Sequence, residues 1–288
     1  MTYQECYEQG RELLQKAGVE EAALDARLLL EYVCGTNRND LLVHGERLVA
    51  EADVIRYQEL LSKRSGRIPL QHLTGVQEFM GLTFRVNEHV LIPRQDTEIL
   101  VEEVLKELHD GMRVLDMCTG SGCILVSLLH YSNGCQGVGV DVSEEALEVA
   151  RENASRLLEQ GDFPENPSVQ FVQSNLFEKV TGQYEIIVSN PPYIQSAVID
   201  TLMPEVKDHE PRLALDGTED GLFFYRRIVE DSREHLVSGG MLYFEIGYDQ
   251  AQSVSLLMQE AGFTEINVVK DYAGLDRVVY GTYTVKER

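Results

Sequence analysis

The chain has 288 residues, 43% of them hydrophobic, and a formal net charge of -23. That apolar fraction supports a real core and excludes a disordered chain, and the length allows one large domain or two smaller ones. The acidity argues against the phosphate backbone of DNA or RNA as the main partner, since such binding calls for a basic face; it leaves a basic protein partner open.

The opening Met1-Thr2-Tyr3-Gln4-Glu5 has neither a basic stretch nor an apolar run behind it, so no signal peptide is expected. No run of roughly 18 apolar residues is present, so no membrane span is expected. The five cysteines and seven histidines have no ligand spacing and no Cys-x-x-Cys pair. Neither a metal site nor a disulfide framework is therefore expected, and reduced thiols point to a cytoplasmic protein.

Residues 1–75 read as a small helical domain. Leu13, Leu14 and Ala17 mark one apolar face, and Leu24, Leu28, Leu29 and Val33 another, with Gly35 as a C-cap. A further helix is expected over Ala52 to Lys63. The basic group Lys63, Arg64 and Arg67 reads as a solvated helix end. No catalytic cluster is evident here, and a docking role is the functional alternative to plain packing. Residues 76–94 lose helical period and read as a hairpin and linker, with Gly81 at the turn between Glu78-Phe79-Met80 and Leu82 to Val86. A helix then runs to Leu108, with Asp96 or Thr97 as candidate N-cap.

Residues 95–288 alternate between strand and helix. Strands are expected at Arg113 to Met117, Gln136 to Val140, Val169 to Gln173, Glu185 to Ser189, Met241 to Ile246, Ile266 to Val269 and Arg277 to Thr284. Helices are expected at Cys123 to Tyr131, Ser143 to Glu159, Gly221 to Leu236 and Gln250 to Ala261. Such alternation predicts an α/β fold: a mostly parallel sheet with helices on both faces, the last strand antiparallel. The long segment Ile194 to Gly217 is expected to line an opening to the site, with Asp208-His209-Glu210 as a polar loop rather than a metal cluster.

Two stretches carry chemistry. Asp116-Met117-Cys118-Thr119-Gly120-Ser121-Gly122 joins the first strand of the sheet to a helix, and its glycines let the backbone approach a ligand. Asp141 ends the next strand, placed to accept hydrogen bonds from ribose hydroxyls. The third glycine of a dinucleotide fingerprint is missing, and so is the Lys of a phosphate loop. Asp116 would repel a pyrophosphate and suits a cationic, amine-bearing ligand. S-adenosylmethionine, with a sulfonium and an ammonium and no phosphate, meets these terms. The second stretch is Asn190-Pro191-Pro192-Tyr193, directly after the apolar run ending at Ser189. Neither proline can donate to a sheet, so the strand stops there. An amide and an aromatic ring at that stop form a cup and a flat wall for a planar, amine-bearing group.

The chain resembles the Rossmann-like S-adenosylmethionine-dependent methyltransferases, and within them the HemK/PrmC family. The resemblance rests on Asn190 to Tyr193, Pro69 to Gly75 (Pro-Leu-Gln-His-Leu-Thr-Gly), Leu91 to Glu98 (Leu-Ile-Pro-Arg-Gln-Asp-Thr-Glu), Glu210-Pro211, and Asp220-Gly221-Leu222 with Tyr225. It implies methylation of the glutamine in the Gly-Gly-Gln motif of peptide chain release factors, with no sequence-specific nucleic-acid binding. It assigns catalysis to Asn190, Pro191 and Tyr193, and the substrate to Asn190, Pro191, Pro192 and Tyr193. The cofactor falls to Asp116, Cys118, Thr119, Gly120, Ser121, Gly122, Asp141, Asn175, Leu176 and Asn190. Three positions depart from the family pattern: Cys118 stands where Gly is usual, Asn175 where Asp is common, and Leu176 where Trp is frequent. A Cβ at Cys118 is tolerated where φ is negative. The rival functions are a nucleic-acid amine methylase, which calls for a basic groove, a non-catalytic binding module, and an NAD-dependent oxidoreductase.

Overall fold

The computed structural model describes residues 1–158, 165 and 167–284. Contacts divide them into two units, one of Met1–Val76 with Met203–His209, the other of Gln77–Leu202 with Glu210–Arg288. No helix among the described residues is long and apolar enough to cross a membrane.

In the first unit, α1 (Tyr3–Lys16) starts on a capping box: Glu5 donates its backbone N–H to the Thr2 hydroxyl at 3.2 Å, and Thr2 donates its own N–H to the Glu5 carboxylate at 2.9 Å. Helix α2 (Ala22–Cys34) ends at Gly35, whose φ of 59° is the left-handed C-cap expected from sequence. α3 (Arg38–Val43), α4 (Glu51–Ser65) and α5 (Leu70–Thr74) complete the unit. α3 and α5, each about a turn long, escape a reading based on apolar period. The face of α1 that packs is Tyr3, Cys6, Gly10 and Leu14, whereas Leu13 and Leu24 are both 39% exposed. The expected faces were offset there, because a leucine pair leaves the stripe's centre undetermined.

The basic group is also not a solvated helix end. Arg64 is buried and donates to Asp25 at 2.7 Å and to Glu205 at 2.9 Å, and Arg67 donates to Glu205 at 2.6 Å. Glu205 comes from the segment Met203–His209, so residues distant in sequence close the network.

In the second unit, β1 (Val76–Phe79) and β2 (Leu82–Arg85) form the hairpin. Its turn residues Met80 and Gly81 have φ of 51° and 70°, the double positive pattern that matches strand twist. α6 (Asp96–Glu107) follows, with Gln95 at its N-cap and no side-chain cap, so neither Asp96 nor Thr97 has that role. Then come β3 (Arg113–Met117), α7 (Cys123–His130), β4 (Gln136–Asp141), α8 (Glu144–Leu158), β5 (Ser168–Gln173) and β6 (Tyr184–Ser189). Ser143 accepts the Ala146 N–H at 3.1 Å, as a cap should, while Glu159 lies outside the described residues. After β6, the long connection holds the short helices α9 (Ser196–Ile199), α10 (Pro204–Lys207) and α11 (Arg212–Leu215). The chain ends with α12 (Phe223–His235), β7 (Leu236–Glu245), α13 (Ala251–Glu260), β8 (Phe263–Lys270) and β9 (Asp276–Tyr283).

The strand order of the seven-stranded sheet is β5-β4-β3-β6-β7-β9-β8. β3 pairs in parallel with β4 and β6, and β6 with β7; β9 runs antiparallel to β7 and β8. The last strand therefore inserts between two earlier ones instead of adding at the edge. Alternation sorts the side chains to two cores. Val114, Ile186 and Val188 face α6 and α7, and Leu115, Ile187 and Leu242 face α12 and α13. Both faces are covered, which is why β3 and β6 read as apolar runs.

Replacing Arg64 with Met leaves the Asp25 and Glu205 carboxylates partly desolvated beside each other. Urea unfolding of the full chain is expected to show a loss of about 3–5 kcal/mol, against little change for Lys63→Met at the same helix end.

Candidate active site

The carboxyl ends of β3, β4 and β6 open into one crevice lined by Thr97, Cys118, Thr119, Gly120, Ser121, Asp141, Asn175, Leu176, Asn190 and Pro192, with Arg94, Pro211, Leu213 and Ala214 at its side. This is where parallel α/β sheets bind ligands. Asp116, Gly122, Pro191 and Tyr193 are not part of its wall.

The glycine loop shows why. Asp116 is fully buried, and its Oδ2 accepts the Thr119 hydroxyl at 2.6 Å. Burial pushes its carboxyl up to about 7, against the opposing pull of that hydroxyl. Asp116 therefore braces the loop from beneath through Oδ2, and its Oδ1 has no hydrogen-bond partner. Cys118, Gly120 and Gly122 have φ of 63°, 53° and 76°. The positive φ at Cys118 overturns the tolerance expected there: the residue occupies a left-handed position that favours glycine. A Cβ on Gly120 would meet nothing within 4 Å, so this glycine faces open space, whereas one on Gly122 would press the Ala150 Cβ at 3.1 Å. Gly122 thus serves helix approach, and Gly120 the crevice.

Asp141 accepts the Gly120 N–H at 2.9 Å through Oδ2 and the Ser143 N–H at 3.0 Å through Oδ1. Each oxygen keeps a lone pair for a ligand hydroxyl. Burial raises its pKa against these backbone donors. Asn175 donates to Glu178 at 2.7 Å, and Leu176, buried, has a φ of 50°.

Asn190 follows β6 directly. Its Nδ2 donates to the Thr97 hydroxyl oxygen at 3.4 Å, which turns Oδ1 away from Thr97. The turn beyond it is clamped. A Cβ on Gly217 would fall 2.7 Å from the Tyr193 Cα, and one on Gly221 would fall 2.4 Å from the Tyr193 carbonyl oxygen. Gln250 donates to that same carbonyl at 3.2 Å. Ile194 pairs with the far arm of the connection, donating to Leu215 and accepting from Gly217 at 3.0 and 2.8 Å. Of the connection, Pro211, Leu213 and Ala214 reach the crevice, while Met203–His209 belongs to the first unit. Glu210 lies in the loop expected there, between α10 and α11, but not at its surface. It is buried, accepts the Ile92 N–H at 3.3 Å and pairs with Arg94 at 2.5 Å.

Sequence reasoning missed Glu245, at the carboxyl end of β7, and did not resolve what Thr97 does. Glu245 is fully buried, accepts the Tyr193 hydroxyl at 3.4 Å, and has its carboxyl raised to about 7 by burial, opposed by the Thr97 hydroxyl and Arg277. An acid inside the apolar run Met241 to Ile246 was the signal available.

A doubly covered parallel sheet with a glycine loop, a strand-end acid and an amide at the adjacent strand end defines a methyltransferase of the Rossmann-like class. A methyltransferase from Pyrococcus furiosus shares the fold, with a TM-score of 0.53 over 78% of this chain and all of that one, at 18% identity. The family model of the methyltransferase small domain matches residues 94–209, and that of the PrmC N-terminal domain matches residues 5–75. The release factor glutamine methyltransferase of Caulobacter vibrioides is 39% identical over 98% of this chain and 96% of its own length, and that of Geobacter sulfurreducens is 41% identical over 94% and 93%. The chain belongs to the release factor glutamine methyltransferase family.

Two outcomes test the site's physics. Asp116 and Glu245, both raised to about 7 from 3.8 and 4.5, add stability fully below those lower values and lose it as pH rises through about 7. Thermal unfolding should therefore show Asp116→Asn and Glu245→Gln each flattening the decline in stability between acid and mildly alkaline pH. At position 118, Cys118→Gly is expected to stay within ~1 kcal/mol of the parent, while the β-branched Cys118→Val loses about 1–3 kcal/mol in urea unfolding.

Proposed function

We propose that this protein transfers a methyl group from S-adenosylmethionine to the side-chain amide nitrogen of the glutamine in the Gly-Gly-Gln motif of a peptide chain release factor. The observation that carries the reading is the Asn190 amide: its NH₂ is taken by Thr97, so its oxygen is free to accept from a substrate NH₂ in the crevice that also holds Asp141 and the open Gly120. Membership of the release factor glutamine methyltransferase family supports the choice of glutamine over a nucleobase, as does the net charge of -23.

The residues fit the cofactor. Asp141 would take the ribose hydroxyls on its remaining lone pairs, Gly120 and Ser121 would let the backbone approach, and Leu176 with Asn175 would border the adenine. Cys118 and Thr119 shape the loop, and Asp116 and Gly122 hold it from behind. S-adenosylmethionine supplies a methyl group already activated by its sulfonium.

A carboxamide nitrogen is a poor nucleophile because its lone pair is delocalised into the carbonyl. The Asn190 Oδ1 and the Pro191 carbonyl each accept one N–H of the substrate amide, which raises electron density on nitrogen and aims its lone pair. Pro192 stiffens the turn and lines the crevice, and Tyr193, tied through its hydroxyl to Glu245 behind that lining, would turn its ring to the bound amide as a flat wall. As the N–C bond forms, the S–C bond to the methyl breaks with the neutral sulfide as leaving group, and one amide proton departs to solvent afterwards, so no strong base is required; positioning of this kind lowers a barrier by about 7–11 kcal/mol when geometry is near attack. Residues 1–75 are assigned to docking of the release factor, residues 76–94 to the connection, and residues 95–288 to the transfer.

Incubation with labelled S-adenosylmethionine and a release factor, followed by mass spectrometry, should place the methyl on the Gly-Gly-Gln glutamine; label on nucleic acid instead would overturn the proposal. Asn190→Ala should keep cofactor affinity and lose at least ~100-fold in turnover.

A further inference from the structure

Behind Asn190 lies a buried polar chain that the transfer itself does not use. Thr97, on the first turn of α6, is 2% exposed, and Glu245, at the end of β7, is 2% exposed. The Thr97 oxygen accepts the Asn190 NH₂ at 3.4 Å. Glu245 Oε1 accepts the Tyr193 hydroxyl at 3.4 Å, and its buried Oε2 has no hydrogen-bond partner, leaving it open to the Thr97 hydroxyl, which favours the ionised carboxylate. Thus one carboxylate faces the supports of both side chains that flank the proline pair.

The proton count makes this arrangement directional. A threonine hydroxyl has a single hydrogen. If that hydrogen goes to Glu245, the Thr97 oxygen can only accept from Asn190, and Asn190 must present its own oxygen to the crevice. If Glu245 holds a proton, it can donate to Thr97, whose hydrogen is then free to go to the Asn190 oxygen. The Asn190 amide would then turn over and present NH₂ to a substrate NH₂, two donors facing each other. Full burial makes an unpaired partner costly, so the network takes one polarity or the other.

Resting on the reaction proposed above, we propose that Glu245 is a positioning residue: acting through Thr97, it sets which end of the Asn190 amide meets the substrate nitrogen, and acting through the Tyr193 hydroxyl, it holds the adjoining ring. The charged and titratable groups around it are Asp96 on α6, Cys123 on α7, Tyr193 on the connection after β6, Tyr225 on α12 and Arg277 on β9. Arg277 is itself tied to Asp271 at 3.0 Å and to Asp96 at 3.3 Å. Burial pushes the Cys123 thiol and both tyrosine hydroxyls up, so they keep their protons. Glu245, raised to about 7, is the member of this group that changes charge near neutrality. The ionised form accepts from Tyr193 and leaves Oε2 open to the Thr97 hydrogen.

The test is single-turnover methylation of a release factor across pH, with cofactor affinity measured in parallel by calorimetry. The wild-type rate should rise with pH through about 7. Glu245→Gln should bind the cofactor normally, lose up to roughly 100-fold in rate, and lose the pH dependence. Thr97→Val should reproduce both losses, Thr97→Ser should restore them, and the Glu245→Gln/Thr97→Val pair should cost no more than either change alone. If Glu245→Gln does not fold, the Thr97→Val and Thr97→Ser comparison carries the test. A wild-type rate that is flat through neutral pH, or additive losses in the pair, would overturn the inference. Absence of glutamine methylation by the wild type would instead overturn the function itself.

Discussion

The architecture of the site depends on one constraint: β6 ends at Ser189, and Asn190 just beyond it is followed by two prolines. A central strand of a parallel sheet continues as long as its N–H groups can be paired, and Pro191 and Pro192 have none. The chain must leave the sheet there, and leaving a buried strand exposes backbone that has to be satisfied elsewhere. The molecule does this with close packing. Gly217 and Gly221 let two later stretches come against Tyr193 where any Cβ would overlap, and Gln250 caps the Tyr193 carbonyl. Asn190 is thereby held at a fixed point directly beyond the end of β6.

Three carboxylates stand at or next to the carboxyl ends of strands in the same sheet: Asp116 on β3, Asp141 on the neighbouring β4, and Glu245 on β7, which is separated from β3 by β6. Their environments separate their tasks. Asp141 reaches the crevice wall and keeps lone pairs spare, whereas Asp116 and Glu245 are sealed beneath it with carboxyls raised to about 7. Burial therefore favours the neutral acid, while the hydrogen-bond polarity that exposes the Asn190 oxygen favours the charged one. A site that works in its ionised form carries some destabilisation of the fold, a common relation between stability and activity.

Much of the plan was legible in the amino-acid order. Alternating periods of two and three-to-four residues marked the strands and helices of residues 95–288, because covering both faces of a sheet forces that alternation. The proline pair marked the end of β6, the glycines marked the loop after β3, and Gly35 marked the end of α2, each by a local backbone rule that acts within a few residues. The strand-end position of Asp141 followed from the same reasoning.

What the sequence determined by itself is the set of elements and the chemical character of the residues at their ends, since propensity, apolar period and the special backbones of Gly and Pro are properties of short stretches. What only the tertiary structure decided is which of those residues meet. That Arg64 is buried against Asp25 and Glu205, that Cys118 adopts a left-handed backbone, that β9 inserts between β7 and β8, and that Glu245 comes up behind Thr97 and Tyr193 all depend on partners 39 or more positions away or on the course of the whole sheet. Burial and charge pairing are set by such distant neighbours, and no local signal carries them.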